Sequence, residues 1–167
     1  MSYSAYFIPT DQTIGHLGTL VASLDPLLQM QYTGFAAVSA VTVYELAIKE
    51  IFREFAGKKN KVFGHFVDKH FRRINGKIGL DVIQNDYLSR FGGKYQKRFN
   101  RLISLEENSF LRANRQSIKS SYGNLIAWRH EFAHEGRIPT NATFFEVQRS
   151  YDCGKKIIDV LALTLVR

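Results

Sequence analysis

Apolar residues recur along most of the chain at the three-to-four-residue spacing of an amphipathic helix. The clearest stretch runs from Phe35 to Phe55, and Gly57 after it predicts the end of that helix. An earlier helix is predicted from about Thr10 to Leu28, with a break at Pro26. No stretch of strand length alternates convincingly between apolar and polar residues, so the pattern predicts an all-α protein.

The rest of the chain continues the helical pattern. Further helices are predicted over Lys61 to Ile74, about Val82 to Phe91, Lys94 to Asn114, Arg115 to His134, and Thr143 to about Val166. Asn75-Gly76 ends the first of these, and Gly136 with Pro139 ends the fourth. Thr143 and Glu146 have the spacing of a capping box. We expect one domain over residues 1–167, a compact bundle of about five to seven helices.

The composition gives the net charge of the chain and indicates the cellular compartment in which we expect it. Lys and Arg number 23 against 15 Asp and Glu, and the formal charge of +8 would attract a polyanion such as RNA, although a solvated basic surface explains it equally well. The single cysteine, Cys153, cannot form an intramolecular disulfide. The N-terminus lacks the features of a secretion signal. The apolar run from Phe35 to Ile48 is shorter than the ~20 residues that span a bilayer. We therefore expect a cytoplasmic protein without a membrane segment.

The chemistry-bearing residues are concentrated in one helix, over Arg129-His130-Glu131-Phe132-Ala133-His134. At about 100° per residue, Arg129 falls inside an apolar face, where a guanidinium must either be paired or open into a cleft. That face consists of Tyr122, Leu125, Trp128, Phe132 and Ala133. His130 and His134 are neighbours on the other side. Either could act as a general base, or both could be exposed histidines with local hydrogen bonds.

Arg129, four intervening residues and His134 fit the Arg-x4-6-His signature of HEPN ribonucleases, and the surroundings resemble the RiboL-PSP-HEPN branch. The resemblance covers roughly residues 35 to 160 and includes Glu45-Leu-Ala-Ile-Lys49. It implies a HEPN-like helical bundle and a metal-independent endoribonuclease that needs no cofactor. Arg129 and His134 would act on the RNA backbone in a cleft between two protomers of a homodimer.

In the reaction that the resemblance implies, the 2′-hydroxyl is the nucleophile and a 2′,3′-cyclic phosphate is the product. His134 moves a proton to or from the reacting oxygens, and Arg129 stabilises charge in the transition state. HEPN proteins more often have Asn or Asp at the position of His130, which leaves that residue either a second proton donor or an orienting group. Glu131 and Glu45 are candidate supporting residues, and Glu45 could pair with Arg129 or with Lys49.

Helix geometry also bears on the dimer. On an ideal helix, Arg129 and His134 are about 140° apart, so one helix does not bring them together. Two copies of the helix in a symmetric dimer could form a composite site.

The same residues contain a competing pattern, His130-Glu131-x-x-His134, which is typical of zinc metalloproteases. A catalytic zinc needs a third protein ligand, for which Glu146 and Asp152 are the candidates. Glu146 is already explained by the capping box. Neither Arg129 nor the basic surplus has a role in a protease, so the nuclease interpretation is favoured.

A second basic segment is a candidate RNA-binding surface. Its cations are Lys94, Lys97, Arg98 and Arg101, and they alternate with Tyr95 and Phe99. Such a segment can combine phosphate contacts with base stacking. The four-residue spacing of the two rings is more often that of core residues, with the cations solvated opposite. Two similar basic groups have lower specificity as RNA-contact candidates: Lys58, Lys59 and Lys61, and Arg72, Arg73 and Lys77.

Two matters stay open at the level of sequence. A HEPN-like bundle that binds RNA or a protein partner without cleaving would have the same helices and charge. The resemblance also favours a toxin, phage-defence or RNA-processing role, with an antitoxin or regulatory protein as a possible partner.

Overall fold

The chain is largely helical, and the computed structural model describes residues 2–138 and 142–166. The α-helices are α1 Phe7–Leu20, α2 Pro26–Lys59, α3 Lys61–Phe71, α4 Leu88–Phe91, α5 Gly93–Asn114, α6 Ile118–Glu135 and α7 Phe144–Leu165. Two short 3-10 segments, Ser2–Tyr6 and Val21–Ser23, flank α1, and a π-helical segment, Val82–Tyr87, leads into α4. The described residues contain no strand. The predicted all-α bundle is confirmed.

Helix α2 is the central element and packs against α3, α6 and α7. It begins at Pro26, with the Asp25 side chain accepting hydrogen bonds from the N–H groups of Leu27 and Leu28. The predicted helix from Thr10 to Leu28 is therefore wrong at its end. Proline fits the first position of a helix because the N–H that it lacks would have no helical partner there.

Gly57 was predicted to end α2, and this is wrong, since the helix continues to Lys59. The end is set by Asn60, whose side chain caps α3 by accepting from Val62 N and Phe63 N. A Cβ added at Gly64 would lie 2.9 Å from Gly57 Cα. The two glycines therefore allow α3 to pack closely on α2.

The boundaries around α6 and α7 are close to those predicted. Gly136 ends α6 in the left-handed conformation, with φ +67°, and Thr143 and Glu146 form the capping box at the start of α7. Pro139, the second predicted stop after α6, lies outside the described residues.

Three stacked tyrosines hold the middle of the bundle together. The ring of Tyr44 in α2 lies 5.4 Å from that of Tyr122 in α6 and 5.8 Å from that of Tyr151 in α7. Tyr44 Oη donates to the carbonyl of Tyr151, and Tyr122 Oη donates to the carbonyl of Ile78, at 2.7 Å. All three rings are buried, and burial raises the pKa of each phenol.

Helix α3 buries only part of its predicted apolar face. Val67 and Phe71 are in the core, whereas Val62 and Phe66 are 76% and 68% exposed. The apolar pattern of α3 therefore overestimates what the bundle covers. Among the described residues, no helix combines the length and the apolar content required to cross a bilayer.

Candidate active site at the end of helix α6

Helix α6 carries a buried stripe that ends at the candidate catalytic arginine. Ile118, Tyr122 and Leu125 are fully buried, and Arg129, the next position of the stripe, is half-buried. From Ala133 to the end of the helix the residues are exposed, so Ala133 was wrongly placed on the apolar face. The stripe thus opens to solvent within one turn of Arg129.

Phe132 anchors this end of α6 against α2. A Cβ added at Gly34 would overlap the Phe132 ring, and Gly34 is buried. Only glycine leaves room for the ring at this crossing, so Gly34 sets how closely α6 approaches α2.

The guanidinium of Arg129 packs against a turn that follows α3. An ideal Cβ on Gly76 would lie 3.2 Å from Arg129 Nη2 and 3.3 Å from Nη1. Gly76 has φ +77°, a conformation that L side chains rarely adopt. The backbone conformation therefore favours glycine at this position, and a Cβ there would also press against the Arg129 guanidinium.

Hydrogen bonds from three directions hold the turn formed by residues 75–78, here called the Gly76 turn. Glu45 Oε2 accepts from Gly76 N at 2.6 Å. Tyr87 Oη donates to the Lys77 carbonyl at 2.6 Å, and Tyr122 Oη donates to the Ile78 carbonyl. The surface that meets the Arg129 guanidinium is therefore fixed by side chains of α2, α6 and the π-helical segment.

The sequence allows Glu45 to pair with Arg129 or with Lys49, and the structure contains the pair with Lys49. Its Oε1 accepts from Lys49 Nζ at 2.5 Å, one turn later in α2. Within the described residues, no carboxylate lies within 4.0 Å of the Arg129 guanidinium. Glu45 and Arg129 both meet Gly76 without pairing with each other. Arg129 therefore offers a half-buried positive charge that no acid in the described part of the chain neutralises.

The two histidines of the motif lie together on the exposed side of α6. The ring centroids of His130 and His134 are 4.4 Å apart, with planes inclined at 52°. Both side chains are exposed, and Glu131 between them is half-exposed. Because α6 is continuous to Glu135, Arg129 and His134 are about 140° apart around its axis. The fold brings His130 to His134 and leaves Arg129 on another face.

The ligand set of a zinc protease is not assembled among the described residues. Glu146 Oε2 accepts from Thr143 N at 3.0 Å in the capping box, as predicted. Asp152 accepts from Lys155 Nζ at 3.1 Å. No group of three His, Cys, Asp or Glu side chains in residues 2–138 and 142–166 is close enough to bind one metal ion. His130 and His134 thus lack a third ligand from this part of the chain.

The basic segment of α5 uses its rings in the core. Tyr95 is 8% exposed and Phe99 is fully buried, which confirms the core interpretation of their spacing. The predicted cations surround them on the surface: Lys94, Lys97 and Arg101 are exposed, and Arg98 is half-buried. This face can offer charge to a phosphate backbone but no free ring for base stacking.

Sequence reasoning missed the partners of Arg129. Asn75-Gly76 was identified as a turn, but nothing in the sequence indicated that the turn would lie against a helix some 50 residues later. Gly34 likewise acts through a contact between helices, and Tyr122 acts through a hydrogen bond to the Gly76 turn. Such pairings depend on how helices cross, which periodicity within one helix does not specify.

Comparison with known families gives a match over most of the chain. The sequence model of the RiboL-PSP-HEPN family matches residues 12–167. Neither the search of curated proteins nor the search of solved structures gives a match. Because the family match spans nearly all of the chain, including α6 and the Gly76 turn, the protein belongs to the RiboL-PSP-HEPN family.

Proposed function

We propose that the protein is a metal-independent endoribonuclease in which Arg129 and His134 act on the RNA backbone. The observation that supports this most strongly is the half-buried Arg129, which no carboxylate among the described residues neutralises. A guanidinium in that state binds phosphate oxygens well, since its fork of N–H donors matches their geometry. Membership of the family supports an RNA-related role.

The proposed reaction is an internal transesterification. The 2′-oxygen of one nucleotide forms a bond to the adjacent phosphorus, and the bond from phosphorus to the 5′-oxygen breaks. The His134 imidazole takes the proton of the 2′-hydroxyl, and the imidazolium so formed gives this proton to the leaving 5′-oxygen. Arg129 stabilises the negative charge of the phosphorane-like transition state. The ring contact of His130 with His134 supports an orienting role for His130.

We further propose that the working unit is a homodimer. Arg129 and His134 of one chain lie on different faces of α6, whereas two facing copies of the helix can supply both groups to one phosphate.

The second candidate is a module that binds RNA or a protein without cutting. The separation of Arg129 from His134 around α6 favours it if the chain acts as a monomer. A toxin, phage-defence or RNA-processing role and a restraining protein partner remain predictions from the resemblance.

A cleavage assay separates these candidates. Purified protein is incubated with single-stranded RNA, with and without EDTA, and the product ends are identified. We expect EDTA-resistant cleavage to 2′,3′-cyclic phosphates, and we expect Arg129→Ala or His134→Ala to abolish it. Arg112→Ala and His16→Ala are matched controls, because both side chains are exposed on other helices.

The result also distinguishes the alternatives. Binding of RNA by the native chain without cleavage under any condition supports the non-catalytic module. An activity on peptides that is lost with EDTA and with Glu131→Ala supports a zinc protease instead.

A further inference from the structure

A basic cleft lies between α3 and the segment that leads into α4, beside the Gly76 turn. It has a volume of about 740 Å³. Its basic side chains are Lys69, His70, Arg72, Arg73, Lys77 and Arg90, and Asp86 is its only carboxylate among the described residues. The cleft thus holds five of the 23 Lys and Arg of the chain but one of the 15 Asp and Glu.

Part of this charge is already paired, and part is not. Arg72 pairs with Asp68 at 2.9 Å, and Arg90 with Asp86 at 2.6 Å. Lys69, Arg73 and Lys77 are exposed, and no carboxylate in the described ranges lies within 4.0 Å of them. These three cations, the free cations of the cleft, are spaced over nine residues and can meet successive phosphates of one strand.

The cleft also offers an exposed aromatic ring. Phe66 lines it and is 68% exposed. The Phe66 ring is parallel to that of His70, with planes inclined at 9° and centroids 6.5 Å apart. Arg90 Nη1 donates to His70 Nε2 at 3.1 Å, which holds the imidazole in place. An exposed ring beside free cations is the combination that binds unpaired bases and their phosphates together.

The cleft and the candidate active site share one structural element. Ile74 and Lys77 line the cleft, and Gly76 between them contacts the Arg129 guanidinium. A strand lying in the cleft therefore passes along the same turn that positions Arg129. The candidate surface on α5 lacks this link, and its rings are buried.

We propose that this cleft binds single-stranded RNA, with phosphates on Lys69, Arg73 and Lys77 and a base stacked on Phe66. The inference rests on the proposed function for its ligand class, and it names the segment of substrate that flanks the scissile phosphate. It accounts for the exposure of Phe66, which the bundle does not cover.

The test measures binding apart from cleavage. The probe is a fluorescent 2′-O-methyl oligouridylate, which has no 2′-hydroxyl to attack phosphorus. The full-length chain is compared with the combined variant Lys69→Gln, Arg73→Gln, Lys77→Gln and with Phe66→Ala. The control variant, Arg112→Gln, Arg149→Gln, Lys156→Gln, removes three exposed cations that do not line the cleft.

We expect the cleft variant to bind at least about tenfold more weakly than the control variant. Its slope of log affinity against log salt should fall by about 2, since each phosphate contact on a single strand contributes about 0.7. Phe66→Ala should weaken binding about five- to tenfold with an unchanged salt slope. All of these side chains are exposed, and thermal unfolding checks that the variants fold.

Two results would overturn the proposal. One is equal binding by the cleft and control variants. The other is a duplex of the same length that binds as tightly as the single strand, with no effect of Phe66→Ala, which would make the cleft a general polyanion surface. If the native chain binds through the cleft but never cleaves RNA with free 2′-hydroxyls, the proposed function fails and the cleft assignment stands.

Discussion

The position of the Arg129 guanidinium depends on the backbone of Gly76. The guanidinium lies against this glycine, which no other residue can replace without strain. Gly76→Ala adds a Cβ 3.2 Å from Arg129 Nη2 in a residue with φ +77°. We expect a loss of about 1–2 kcal/mol in the free energy of unfolding. We also expect at least about tenfold slower RNA cleavage, since misplacing a reacting group by ~1 Å can cost ~100-fold.

The matched control for Gly76→Ala is Gly136→Ala. Gly136 also has a positive φ, +67°, but a Cβ there would meet nothing within 4 Å. Urea unfolding should show similar losses of stability for the two variants, with the larger loss of cleavage in Gly76→Ala. Equal effects on cleavage would mean that the contact with Arg129 has no part in activity.

Glu45 is expected to act on Arg129 through the backbone of the Gly76 turn. Glu45→Ala leaves Gly76 N–H without its acceptor, which should cost about 1–3 kcal/mol of stability and slow cleavage. Glu45→Gln keeps an oxygen for that N–H and loses mainly the Lys49 ion pair, worth about 0.3–0.5 kcal/mol. Cleavage by Glu45→Gln should therefore be close to native. If Glu45→Ala and Glu45→Gln slow RNA cleavage by the same factor, the charge of Glu45 matters for activity and its contact with Gly76 N–H does not.

At the scale of helices, the crossing of α2 and α6 depends on Gly34 and Phe132. Gly34→Ala should reduce the free energy of unfolding by about 1–3 kcal/mol, because the new methyl group overlaps the Phe132 ring. In the Phe132→Ala background the same change should cost much less, giving a coupling energy within the ~0.5–3 kcal/mol seen for residues in contact.

Gly15 provides the opposite control for Gly34. It lies within α1, and a Cβ there would meet nothing within 4 Å. Gly15→Ala should therefore stabilise the protein by about 0.5–1 kcal/mol, as alanine does in open helix positions. Destabilisation by both substitutions, measured by urea unfolding, would rule out a specific contact at Gly34.

These glycines also mark how far the sequence could predict the helices. Hydrophobic spacing and the capping box of Thr143 located the helical regions, since both are local signals. Gly57 gave a wrong prediction of the end of α2. In the sequence, a glycine that lets α3 pack closely on α2 at Gly64 cannot be distinguished from a glycine that ends a helix. Arg129 was identified from its place on a helix face, but the Gly76 turn beside it depends on tertiary packing. The His130 and His134 pair followed from spacing alone.

For the whole molecule, the buried tyrosines predict a sensitivity to alkali. Burial raises the pKa of Tyr44, Tyr122 and Tyr151 and raises the pKa of Tyr87 to about 12. In the unfolded chain these phenols ionise near pH 10. Their contribution to stability is therefore fully present below about pH 10 and is lost as the pH rises towards their folded values. Helical signal and tyrosinate absorbance should change together in an alkaline titration. Ionisation of all tyrosines with the helices intact would contradict this.

The proposed homodimer can be tested directly, because a composite site could be rebuilt from two inactive chains. A dimer of Arg129→Ala chains lacks both Arg129 guanidinium groups. A dimer of His134→Ala chains lacks both His134 imidazoles. After denaturation and refolding of an equal mixture, about half of the dimers should be mixed if pairing is random. Each mixed dimer retains one Arg129 and one His134.

We therefore expect the mixture to recover cleavage that neither variant shows alone, measured per mole of dimer with RNA in excess. Two copies of the same variant, refolded together, are the control. Sedimentation of differently tagged chains establishes that mixed dimers form. If they form without any recovery, each chain must need its own Arg129 and His134. In that case the distance around α6 would have to be closed within one protomer, by a rearrangement of its last turn.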